Sequence, residues 1–87
     1  MLYRRWPHWW DDPLSFTRHA RRRMLKRNLD EIQVRILLES GETLQAQTDG
    51  ETWQVTATLE NQRWCLIIKP DLIQRRIILI TMYPLSG

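Results

Sequence analysis

The sequence predicts an α+β fold, two N-terminal helices followed by a four-stranded antiparallel β-meander, and three observations carry that expectation. Apolar residues recur at helical spacing between Phe16 and Leu38, they alternate with polar ones from Trp53 onward, and Asn, Asp, Gly and Pro punctuate the boundaries. A chain of 87 residues holds one core. A domain of this size buries only about 60 to 65% of its unfolded surface, so nearly every apolar run has to serve that core.

Residues 1–13 stand apart in composition. The run Trp6-Pro7-His8-Trp9-Trp10-Asp11-Asp12-Pro13 crowds three tryptophans and two prolines into eight residues. Proline fixes its own φ and pushes the preceding residue toward extended geometry, so an irregular arm is expected here, with residues 14–87 forming the domain. So much aromatic surface either covers an edge of the sheet, the favoured arrangement, or meets a partner, which includes a second copy of the chain. His8, Asp11 and Asp12 are metal-ligating residue types without ligand spacing, so neither a metal nor another cofactor is expected.

The first helix should start at Thr17, whose hydroxyl can cap the free amides of the next turn, and run through Arg27. Asn28 suits its left-handed C-terminal cap. At about 100° per residue, Phe16, Ala20 and Met24 form the apolar stripe and Arg27 falls almost on it. His19 and Arg23 flank that stripe, Arg18, Arg21 and Arg22 point to solvent, and Leu25 is isolated on the outer side. Asp30 with Gln33 makes a loose capping box for a second helix from Glu31 to Glu39 or Ser40, which Gly41 stops. Its apolar residues fall into two sets, Ile32 with Ile36 and Val34 with Leu37 and Leu38, which places it between the first helix and the sheet.

The period then changes. Residues 42–48 make a weak, polar strand, and Asp49-Gly50 is the strongest hairpin signal in the chain because a type I′ turn needs residues that tolerate positive φ. Trp53, Val55, Ala57 and Leu59 alternate with Gln54, Thr56 and Thr58, the pattern of a strand with one buried face. A turn follows at Asn61-Gln62. Residues 64–68 are continuously apolar and should be a central strand ended by Lys69-Pro70-Asp71. Residues 76–83 close the meander, with Ile78, Ile80 and Met82 on one face and Ile77, Leu79, Thr81 and Tyr83 on the other.

Thirteen Lys and Arg against ten Asp and Glu give a formal net charge of +3, but distribution matters more than the total. Arg18, Arg21, Arg22, Arg23, Lys26 and Arg27 place six cations in ten residues with no acid among them. That pole points to an anionic partner. The single cysteine, Cys65, lies in an apolar run, which excludes an internal disulfide framework and marks a core thiol rather than a nucleophile. No signal peptide is visible at the N-terminus, and the apolar runs, residues 64–68 and 77–80, are far short of the roughly 20 residues a spanning helix requires. A cytoplasmic domain without membrane contact is the expectation.

Two segments carry a family likeness. Thr17-Arg18-His19-Ala20-Arg21-Arg22-Arg23-Met24-Leu25-Lys26-Arg27-Asn28-Leu29-Asp30 resembles the signature Ser/Thr-x-His-Ala-x-x-Arg-Met-x-x-Arg-Gly-Ile-Ser, with Asn28 in place of the usual glycine. Ile80-Thr81-Met82-Tyr83-Pro84 is similar to the terminal Ile-Thr-Val-Tyr strand of the same group. The group is a prokaryotic domain family without an assigned function, similar to BrnT-type toxins and more distantly to RelE-like small ribonucleases. The likeness covers roughly residues 15–84 and leaves the tryptophan-rich arm unexplained.

What the resemblance implies is a toxin-like, metal-independent endoribonuclease of a toxin–antitoxin system, with RNA, including ribosome-associated mRNA, as substrate and a separate antitoxin protein as partner. Such chemistry needs a base for the ribose 2′-hydroxyl, an acid for the leaving oxygen and cations for the charge on the pentacoordinate phosphate. His19 is the proton-transfer candidate, because imidazole changes protonation within the physiological range. Arg23 and Arg27 follow at one-turn intervals and Tyr83 lies on the last strand, which completes the candidate catalytic set. Arg18, Arg22, Lys26, Lys69 and Thr81 are candidates for binding phosphate or RNA. Two other readings stand beside catalysis. Arg23 and Arg27 can fasten the first helix to Glu31 or Glu39, and the basic helix can serve a noncatalytic module that binds nucleic acid or protein.

Overall fold

A computed structural model describes residues 7–85. A single 3₁₀ turn, His8–Asp11, leads into β1 (Leu14–Phe16), α1 (Arg18–Lys26) and α2 (Glu31–Glu39), followed by β2 (Thr43–Ala46), β3 (Trp53–Leu59), β4 (Gln62–Asp71) and β5 (Arg76–Leu85). The strands form one sheet in the order β1-β5-β4-β3-β2. The expected pair of helices and antiparallel meander are both present. A fifth strand is added: β1 runs parallel to β5, pairing Leu14 with Ile77 and Phe16 with Leu79, so the sheet is mixed. Three residues between Pro13 and the helix cap are too few to show any period.

Local chemistry explains both helices. The Thr17 hydroxyl accepts the Ala20 amide at 3.0 Å as the N-cap of α1, and Asn28 takes a φ of 59° just beyond its end. In α2 the capping box is complete, with Asp30 accepting the Gln33 amide at 2.8 Å and Gln33 accepting the Asp30 amide at 2.9 Å. The box satisfies two amides and the Thr17 cap one, donors that the helices themselves leave without partners.

The core lies on one face of the sheet. Val34, Leu37 and Leu38 of α2 and Ala20 and Met24 of α1 pack there with Val55, Ala57, Leu66, Ile68, Ile77, Leu79 and Met82. Trp9 is also buried, its ring edge-on to Trp53 with centroids 5.5 Å apart, and Trp10 packs beside it. Trp6 lies outside the described residues. The second apolar set of α2 is not sandwiched as the sequence suggested, because Ile32 is 71% and Ile36 45% exposed. Both helices meet the sheet, α1 on β5 and β1 and α2 on β3, which leaves the outer face of α2 uncovered.

The turns differ from the expected ones in informative ways. Asp49-Gly50 is not a two-residue type I′ turn, since only Gly50 has positive φ (76°) and the loop spans Gln47 to Thr52. Asp49 instead spends its carboxylate on the Glu51 and Thr52 amides. The two-residue turn with positive φ at both centres is at Glu60 (50°) and Asn61 (68°), one residue earlier than the sequence indicated. Pro70 does not end β4 but sits inside it, opposite Ile77. The last pair of β3 with β4 is Trp53 with Ile68, so at Pro70 the strand has a neighbour on one side only and its missing amide costs nothing.

A bulge divides β5. Thr81 pairs with Ile67 and Leu79 with Ile68, so Ile80 has no partner across the ladder. One extra residue exchanges the two faces of a period-2 strand. Ile77 and Leu79 point to the core before it and Met82 after it, while Thr81 and Tyr83 turn to the opposite face. Strict alternation read from the sequence therefore assigned faces wrongly on either side of Ile80.

Candidate functional site

The end of β1 and the bulge together place α1. Beyond Phe16 the chain leaves the sheet, so β5 from Ile80 onward has no strand on its outer side and α1 stands beside it. Thr17 makes the junction: its amide donates to the Leu79 carbonyl at 3.1 Å and its hydroxyl donates to the carbonyl of the bulged Ile80 at 3.0 Å. Two residues on, His19 Nε2 lies 3.0 Å from Thr81 Oγ1. The bulge turns Thr81 off the core face and brings it within reach of the imidazole.

His19, Arg22, Arg23 and Lys26 line a shallow cleft of about 230 Å³ on α1. Their spacing of three, four and seven residues from His19 is that of one helix face. His19, Arg22 and Lys26 are exposed and Arg23 is half-buried. Among the described residues, none of these three cations has a carboxylate within 4.0 Å; the helix cation that does is Arg21, 3.3 Å from Glu31 with its guanidinium over Phe16. The pairing of Arg23 and Arg27 with Glu31 or Glu39 weighed from the sequence is therefore absent.

The structure brings some of the candidate residues together and leaves others apart. His19, Arg22, Arg23 and Lys26 share the cleft and Thr81 holds the imidazole. Arg27 caps the C-terminus of α1, exposed and outside the cleft, rather than lying near the apolar stripe. Arg18 is exposed at the first helical position and does not line the cleft. Lys69 lies on β4 opposite Ile78 and pairs with Glu51 at 3.2 Å. Tyr83 shares a face with Thr81 two residues further along β5 and is 41% exposed. The Cys65 thiol opposite it pushes the phenol above its ordinary range, by hydrogen bonding first and by charge second, which weakens Tyr83 as an acid. Sequence reasoning drew the stripe as His19, Arg23 and Arg27; the i+3 and i+7 spacing of Arg22 and Lys26 was the signal for the actual lining.

The arrangement can hold an anion beside an accessible imidazole. Arginine offers planar, bidentate donation to phosphate and lysine a mobile point charge, and the absence of a nearby carboxylate leaves the positive field uncompensated. Among the described residues no three His, Cys, Asp or Glu side chains come together to hold a metal ion, and no helix is long and apolar enough to cross a membrane. A family model described as "Domain of unknown function (DUF4258)" matches residues 16–84, which takes in both helices, the meander and the cleft. No curated protein and no solved structure matches the chain.

Proposed function

Since the chain belongs to the DUF4258 family, whose description assigns no activity, we propose from the cleft itself that this is a toxin-like RNA-cleaving domain, working without a metal ion. The observation that carries the reading is an exposed imidazole held by a neighbouring hydroxyl in a cleft whose other three lining residues are cations without a carboxylate. In the tautomer that donates Nε2–H to Thr81 Oγ1, His19 presents Nδ1 as the base. It takes the proton of a ribose 2′-hydroxyl as that oxygen bonds to phosphorus. Arg22, Arg23 and Lys26 stabilise the charge on the phosphorane. The bond to the 5′-oxygen then breaks and the imidazolium returns its proton to that leaving oxygen, which leaves a 2′,3′-cyclic phosphate and a 5′-hydroxyl end. The likeness to BrnT-type and RelE-like toxins supports the same reading and brings with it a proposed antitoxin partner.

A specific observation favours a second reading, a noncatalytic module that grips RNA through the same cleft. The cleft holds one proton-transfer group, and the remaining candidate acid, Tyr83, lies outside it with its acidity weakened. Incubating the protein with labelled single-stranded RNA and a chelator separates the two. Cyclic phosphate ends that disappear in His19→Ala and fall in Thr81→Val support cleavage. Retained RNA with no cleavage, alone and on ribosomes, supports the binding module.

A further inference from the structure

The uncovered outer face of α2 carries a pattern that complements itself. Ile32 and Ile36 stand one turn apart at its centre, 71% and 45% exposed, and Glu31 and Arg35 stand one turn apart along one flank. Arg35 has no carboxylate within 4.0 Å among the described residues, although Glu31 and Glu39 lie four positions away on either side of it. Two shallow hollows border this face and share Glu31. One, of about 290 Å³, is lined by Leu14, Phe16, Glu31, Ile32 and Arg35. The other, of about 320 Å³, is lined by Met24, Leu25, Leu29 and the Arg21–Glu31 pair with Asp30, and Leu25 is 80% exposed beside it.

We propose that this face is an isologous dimer interface whose occupant is the α2 face of a second copy, packed antiparallel. In such a pair each flank meets its own counterpart, because the two-fold axis exchanges the helices and reverses their direction. An axis passing between positions 33 and 34 sets Glu31 beside Arg35 of the partner subunit and Ile32 beside Ile36 of the partner subunit, and repeats both contacts by symmetry. Each contact is within about one residue's rise, 1.5 Å, of direct opposition. The arrangement gives Arg35 the carboxylate its own chain does not supply and covers the exposed isoleucines. A parallel pair would instead put the two Glu31–Arg35 flanks on opposite sides of the seam, where neither reaches the other. The cleft lined by His19, Arg22, Arg23 and Lys26 shares no lining residue with either hollow.

Sedimentation equilibrium of the full chain, from about 1 μM to about 1 mM to span weak affinities, tests the inference. The expected result is a reversible shift from 10.6 kDa toward twice that mass. Ile32→Asp, at an exposed position where an acid suits the helix N-terminus, should raise Kd by at least about tenfold while leaving the far-UV spectrum unchanged. Arg35→Glu should weaken the dimer similarly, and Glu31→Arg added to it should restore association by exchanging the two ends of each ion pair. A monomer throughout the range, including one that associates only with a different protein, overturns the inference. So does a dimer indifferent to Ile32→Asp, or a double exchange no better than Arg35→Glu alone.

Discussion

Replacing Thr17 by alanine or valine should cost far more than an exposed helix cap, because one hydroxyl serves two elements. It accepts the Ala20 amide at 3.0 Å and donates to the Ile80 carbonyl at 3.0 Å, so its removal uncaps α1 and strips the bulge of its only side-chain donor among the described residues. Loss of a threonine cap costs about 1 kcal/mol. Leaving a part-buried carbonyl without its donor costs about 1 to 2 kcal/mol more. The sum, about 2 to 3 kcal/mol, is a large share of the stability of a small domain, which lies at about 0.05 to 0.15 kcal/mol per residue. At about 4 to 8 °C per kcal/mol, Tm should fall by roughly 10 to 20 °C. Thr17→Ser keeps the hydroxyl and should stay within about 1 kcal/mol of the parent. Urea and thermal unfolding of the three variants measure the series. A Thr17→Val protein within about 0.5 kcal/mol of the parent would refute the argument that this hydroxyl joins α1 to the sheet.

Three further outcomes are expected. Gly41→Ala should destabilise the domain by about 1 to 3 kcal/mol, because a Cβ there meets the Leu38 carbonyl at 3.1 Å and Val55 Cγ1 at 3.2 Å; chemical denaturation would show it, against the usual small gain from such a change. Stability should fall as the solution is acidified. The Thr52 and Glu51 amides hold Asp49 below its ordinary 3.8, and the Gln74 amide and Arg76 do the same for Asp71. A depressed folded-state pKa stabilises above the unfolded value and is lost as pH falls through the folded one. Urea midpoints between neutral pH and pH about 3 should therefore decline, less steeply in Asp49→Asn and Asp71→Asn. Arg23→Ala should weaken single-stranded RNA binding and lower the salt dependence by about 0.7 in the log–log slope, the share of one phosphate contact; an unchanged slope would place the RNA elsewhere.

The sequence made the helices legible because their signals are local. The Thr17 cap, the left-handed Asn28, the Asp30–Gln33 box and the Val34, Leu37 and Leu38 stripe each involve residues within one or two turns. What it did not show depends on distant partners. β1 is a strand because Ile77 and Leu79 lie beside it, and Pro70 is tolerated because β3 has already ended. Asp49-Gly50 drew attention as a dipeptide, while Glu60-Asn61 made the tighter turn under the pull of the ladder from Leu59 to Gln62. At the site, helix spacing found His19 and Arg23 but carried the stripe on to Arg27, where the cleft takes Arg22 and Lys26 instead. The hydrogen bond from His19 to Thr81 spans 62 positions and follows from the bulge, which no local pattern announced.

The unpaired Ile80 makes β5 two strands of opposite parity spliced at a single position. The site consequently depends on a residue count as much as on residue types. Any side chain of moderate size at position 80 preserves the splice, since its carbonyl is what Thr17 binds. Deleting that position would close the bulge and keep the faces, with Leu79 and Met82 on the core side and Thr81 and Tyr83 opposite, but it would take away the carbonyl that the Thr17 hydroxyl binds. A one-residue deletion there would loosen the junction of α1 with the sheet without altering a single residue of the cleft.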